Sequence, residues 1–291
     1  MSPSDPNPVP TLQFCATSKG VGPKWSECVV PTRSRFRITN PIDTFLERHL
    51  ALRRINGRLG GLEIGDDEEF ITRELLLLGF VSATELFFRQ LIARTTQSCE
   101  LIRERAADDV LSYRAVRYYS EDDLEMALTE RLSFTEEGMV AKTMRKYWGV
   151  ETSRYALLHD AAGRFESLCQ LRHAVVHSGG MVNSRNSAGL LSSSAPSSVR
   201  ISQVDLDKAA GVCLDLVRAA NSEVGRALLW GWIRNSLVNG DWAADRERYR
   251  TLLEVFLSEV EGSMGRSVQA RLSIVHSAAK TAAGHGSRRS S

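Results

Sequence analysis

At 291 residues, with 43% hydrophobic and 25% charged side chains, the chain has an ordinary globular composition, long enough to bury a core without staples; this excludes a disordered or fibrous protein. The 37 Lys and Arg nearly balance the 35 Asp and Glu, so a net charge of +2 excludes a global positive field, and any nucleic-acid site must be a local patch. Five scattered cysteines (Cys15, Cys28, Cys99, Cys169, Cys213) with no C-x-x-C pair suggest neither a disulfide framework nor a thiolate zinc site and fit a reducing cytoplasm.

Residues 1–38 hold most of the prolines and no sustained periodicity, which predicts an irregular arm with a short strand near residues 35–38. No apolar h-region follows the Pro- and Ser-rich first ten residues, and apolar runs such as residues 75–78 are too short to span a bilayer, so no membrane association is expected. From Pro41, Ile42, Phe45, Leu46, His49, Leu50, Leu52 and Ile55 recur at helical steps up to a stop at Asn56 and Gly57. Asp66 and Asp67 then place negative charge where a helix begins, and the apolar positions from Phe70 through Leu91 predict a long second helix, interrupted near Gly79.

Ser120 with Asp123, and Ser133 with Glu136, have the spacing of helix starts, so short helices are expected between residues 100 and 150. Next, Ala156, Leu157, Phe165, Leu168, Leu171 and Val175 form an apolar stripe that ends at Ser178, Gly179 and Gly180. A Ser- and Asn-rich loop follows over residues 181–201, and Ser202 with Asp205 starts another helix that continues into the apolar stretch 228–233. Residues 241–260 and 268–279 carry two further helical patterns. With no strand series and no repeat, the fold class is all-α: an arm over 1–38, a helical domain over 39–226, a C-terminal helical extension over 227–280 and a tail over 281–291.

Chemistry concentrates in residues 171–180, where Arg172, His173 and His177 sit at the end of an otherwise apolar helix. On a helix, Arg172 and His177 point about 140° apart and lie about 7.5 Å apart along the axis, within the reach of a long guanidinium. A guanidinium and an imidazole meeting at one phosphate suit RNA cleavage by its own 2′-hydroxyl: one moves the proton, the other holds charge on the phosphorane. The helix C-terminus favours a cationic imidazole at His177.

Arg172, the polar His173, three further residues and His177, late in a helical bundle, resemble the motif of HEPN domains. The glycine stop, the polar excursion to Ile201 and the long helix after it extend that resemblance over about residues 40–225, toward HEPN proteins of the abortive-infection and RNase LS-toxin-like types. It implies a HEPN-type helical bundle that dimerises through its motif helix, with Arg172 and His177 of both protomers lining one cleft. It further implies metal-independent RNA cleavage to 2′,3′-cyclic phosphate ends, with His177 moving the proton, Arg172 stabilising the phosphorane and His173 orienting the arginine or touching the phosphate. No cofactor or metal is implied; a toxin or defence role under an antitoxin or regulatory protein is. Gly179 departs from HEPN toxins silenced by a nucleotidyltransferase, which carry a Tyr there.

Plainer readings stand beside this one. Basic residues at a helix end are favoured electrostatically, and Arg172 and His177 would then pair with acids such as Glu166 or Asp160. A HEPN fold also serves as a non-catalytic module that binds RNA or a partner protein. His173 and His177 have metal-ligand spacing without the Glu of H-E-x-x-H. Glu85 is placed to pair with Arg172 or Arg89. Tyr118 and Tyr119, and the segment from Lys142 to Trp148, suit single-stranded RNA, whereas Tyr147, Trp148, Trp230, Trp232 and Trp242 are more simply core.

Overall fold

Asn40 opens the first helix by accepting the Ile42 N–H on its side-chain oxygen (3.1 Å), with Pro41 in the first helical position, where its missing N–H costs nothing. The computed structural model describes residues 40–59, 65–119, 123–182, 197–261, 273–277 and 280–281. The expected N-terminal arm with its strand, most of the loop over 181–201 and most of the last helical pattern lie outside them.

Helix α1 is Pro41–Leu59, two residues longer than the Asn56 and Gly57 stop predicts, because buried Asn56 is held by donating to Asp207 (3.3 Å). Helix α2 is Asp66–Ser98, with four acidic residues in its first turn, about 50 Å long. It runs unbroken through Gly79, contrary to the predicted interruption. A Cβ at Gly79 would come within 2.9 Å of Leu52 Cδ2, so this glycine allows α1 and α2 to approach closely.

Four short helices follow: α3 (Glu100–Ala106), α4 (Tyr113–Tyr118), α5 (Leu124–Ala127) and α6 (Met139–Trp148). Ser133 and Glu136 close a turn rather than start a helix; α6 begins after Gly138, whose φ of 70° places it in the left-handed region. After a 3₁₀ turn at Thr152–Arg154 come α7 (Ala156–Ser178), α8 (Gln203–Arg234) and α9 (Trp242–Phe256). The predicted start of α8 is seen: Ser202 Oγ accepts the Asp205 N–H (3.2 Å) and donates to its carboxylate (2.6 Å). Among the described residues no strand forms; Met181 and Ser198 make an isolated antiparallel bridge.

Helices α1, α2, α7 and α8 form the bundle that carries the motif. Phe45 meets Phe87 and His49 meets Phe80, so α1 runs antiparallel to α2. Cys213 bonds Thr84 and the Trp232 indole N–H donates to Cys99 Sγ (3.2 Å), so α8 runs parallel to α2. Helix α7 is antiparallel to both: Arg164 pairs with Asp215 of α8 (3.2 Å), while Glu85 and Glu74 of α2 lie near Cys169 and Gly180. Both α1 and α7 pack on α2 and α8, the touching central pair, which they flank. The core is aromatic, with Phe45, Phe80, Phe87, Phe88, Phe134 and Phe165 fully buried and the rings of Phe88 and Phe134 stacked at 5.1 Å.

The described residues from Asn40 onward form one compact unit, and α8 is continuous through residues 226 and 227. The end of α9 is tied to both neighbours. Asn221 donates to the Phe256 carbonyl (2.8 Å), and Asp43 accepts from Ser258 Oγ (2.5 Å) and from the N–H groups of Glu259 (3.0 Å) and Val260 (3.3 Å). By length and composition α2 is apolar enough to cross a membrane, but 61% of its most apolar window is buried inside the bundle, as in a core helix.

Candidate active site

Helix α7 stops where its sequence turns to glycine. Gly179 and Gly180 take left-handed φ values of 56° and 80°, which residues with a Cβ adopt only at a cost, and both N–H groups fold back onto the Ala174 carbonyl. Gly180 O then accepts the Val199 N–H (2.7 Å), and Val182 donates to Ser197 O (2.9 Å). The end of the motif helix is thus fastened to the segment that leads into α8.

The structure brings His173 and His177 together. Both are exposed, one turn apart on one face of α7, with ring centroids 4.3 Å apart and planes inclined by 48°. Arg172 is half-buried and, by helical phase, continues the sector of Phe165, Leu168 and Cys169, so a cation occupies the place where the buried stripe runs out. The carboxylates that sequence spacing offers it are engaged elsewhere. Glu166 accepts the Gly138 N–H (2.9 Å), Asp160 pairs with Arg164 (3.0 Å), and Glu85 accepts the Phe134 N–H (3.1 Å). Arg89 does not pair with Glu85 either; it donates to the Thr129 and Leu132 carbonyls. Among the described residues no carboxylate lies within ion-pair distance of Arg172, which leaves its guanidinium available to an anion.

One residue of this end escaped sequence reasoning. Glu74 of α2 has its carboxyl against Gly180, 3.6 Å from where a Cβ would stand, and partial burial raises its pKa. Nothing in the local pattern distinguishes it from an acid on a solvated helix face. Cys169, three residues before Arg172, is no nucleophile: burial, with smaller contributions from Cys213 and Glu85, pushes its thiol up to about 12.

Exposed apolar side chains lie on α2 and α7 at this end of the bundle. Since Glu74 is level with Gly180 and Glu85 with Cys169, the antiparallel register puts Leu75 at the height of Gly179 and Leu78 at that of Val176. Ile71, Leu75 and Val176 are 57%, 62% and 41% exposed. The aromatic candidates lie elsewhere. Exposed Tyr118 makes an edge-to-face contact with Tyr119 (5.1 Å) at α4, which packs on α5, while Tyr147 and Trp148 are buried. Among the described residues no three or more His, Cys, Asp or Glu side chains are grouped to hold a metal ion.

Compared with models of protein families, with curated proteins and with solved structures, this chain shows no match.

Proposed function

We propose that this chain is a metal-independent endoribonuclease of the HEPN type, acting as a homodimer. One observation carries the reading: half-buried Arg172, with no carboxylate partner among the described residues, stands at the same helix end as the exposed, adjacent imidazoles of His173 and His177. Such an arginine is suited to charge developing on a phosphorane, where a planar, permanently cationic donor set stabilises the transition state more than the ground state.

In the reaction an imidazole takes the 2′-hydroxyl proton and the 2′-oxygen attacks the adjacent phosphorus. The 5′-oxygen leaves with a proton from a second acid, giving a 2′,3′-cyclic phosphate and a 5′-hydroxyl. Attacking and leaving oxygens lie on opposite sides of phosphorus. His173 and His177 of one protomer, at 4.3 Å between centroids, leave no room for a phosphate between them. The second proton carrier is therefore His177 of another copy, and the uncovered stripe of Ile71, Leu75 and Val176 is apolar surface that a second motif helix would cover. A toxin or defence effector in the cytoplasm, restrained by an antitoxin or other regulatory protein, is the setting that suits this activity.

The test is incubation of the purified protein with total RNA in EDTA, alongside His177→Ala and Arg172→Ala. New ends bearing cyclic phosphate that vanish in both variants support the reading. RNA left intact by a folded protein that still binds it points to the non-catalytic module instead.

A further inference from the structure

At the other end of α7 lies an open groove of about 860 Å³, formed by α3, the end of α6, the segment before α7 and the last turns of α8. Arg226, Trp230 and Arg234 line it at i, i+4 and i+8 of α8, a cation–aromatic–cation row about 12 Å long. Arg105 and Arg154 line it from the facing elements, so the lining carries four guanidinium groups and one carboxylate, that of Glu104, with Glu223 pairing with Arg226 from outside it. In a chain of net charge +2 this is a strong local excess.

The donors are open. Arg154 and Arg234 are exposed with no carboxylate partner among the described residues, Arg226 pairs with Glu223 (3.0 Å) yet stays 73% exposed, and Arg105 donates one N–H to the Tyr147 carbonyl (3.1 Å). Trp230 is 50% exposed, although Trp232, two residues on, is buried against Cys99. An indole face held between spaced guanidinium groups suits a strand whose bases stack and whose phosphates repeat. An acidic peptide would use the arginines and leave the indole without a role.

We propose that this groove is a binding site for single-stranded RNA, separate from the motif. It lies about 33 Å from His177 along α7 and grips the strand whose distal part reaches the cutting end. The inference rests on RNA being the substrate, but its test reads binding rather than cleavage.

The probe is a fluorescein-labelled 2′-O-methyl oligouridine 12-mer, which has no 2′-hydroxyl to attack with, and the readout is fluorescence anisotropy on the full chain. Trp230→Ala is expected to weaken binding at least about tenfold. Arg154→Glu with Arg234→Glu is expected to weaken it further and to lower the slope of log affinity against log salt by about 1.4, as for two lost phosphate contacts. These groove positions are exposed, and circular dichroism with a thermal melt checks that each variant folds. Wild-type affinity in both groove variants overturns the proposal, as does displacement of the probe by poly-glutamate or by UMP as readily as by unlabelled oligonucleotide. Binding lost only in the groove variants, with no cleavage by any protein, supports the groove and defeats the nuclease reading alone.

Discussion

His49 shows how much a single side chain decides in this bundle. It is 2% exposed between Phe45 and Phe80, with Nε2 3.0 Å from the Ala210 carbonyl. Burial lowers its pKa below 6.5, the Ala210 bond opposes this, and the cations of Arg53 and Arg218 lower it further. The folded-state value is thus below the unfolded one, so the unfolded chain takes up the proton first as pH falls. Stability from this site is complete above about 6.5 and is lost as pH drops from there toward the folded pKa. Urea unfolding at pH 7.5 and 5.5 should show the wild type losing more stability than His49→Gln; equal losses would contradict this role. At the motif, His177→Ala should reduce cleavage by about 10² to 10⁴ in rate. Arg172→Lys should lose most activity as well, because a point-charge ammonium does not reproduce the planar fork. Near-normal single-turnover rates in Arg172→Lys would mean that charge alone suffices.

Among the elements, α7 has the most demanding end. Gly179 has open space where a Cβ would stand, but its φ of 56° is left-handed. Gly179→Ala should therefore cost about 1 to 2 kcal/mol through the backbone alone, measured by chemical denaturation. Phe165→Ala, which empties a fully buried position on the same helix, should cost about 3 to 5 kcal/mol. A smaller loss for Phe165 than for Gly179 would mean that the helix is anchored by its end and not by its stripe. The elements also show what local sequence encodes. Ser202 with Asp205 starts α8 because its two hydrogen bonds need only adjacent residues. The same spacing at Ser133 and Glu136 makes a turn, because Glu85 and Arg89 of α2 hold the backbone of residues 129–134 from outside. Gly79 reads as a break but is a close approach, since the partner that needs the space, Leu52, belongs to another helix. That Arg172, His173 and His177 lie at the end of a helix was legible from spacing and the glycine stop. Glu74 was not, nor was the choice of Trp232 over Trp230 for the core, because Gly180 and Cys99 decide them from far along the chain.

For the whole molecule, the arrangement puts exposed apolar side chains and the Arg172 guanidinium at one end of α7 and a basic, aromatic groove at the other. On the proposed dimeric reading, Leu75→Glu, at an exposed position, should leave the monomer folded and weaken dimerisation in sedimentation velocity. Its cleavage per chain should fall more at low protein concentration than that of the wild type. Concentration-independent activity from a monomer would remove the need for a second His177. The most direct measurement uses an RNA oligonucleotide containing a mapped cleavage site and its counterpart with one 2′-deoxynucleotide at that site, both in EDTA, with fragment ends read by mass. The account predicts that the first is cut to a 2′,3′-cyclic phosphate, that the second is spared, and that His177→Ala cuts neither. Cutting of the deoxy strand, a 5′-phosphate end, or undiminished cutting by His177→Ala would contradict it.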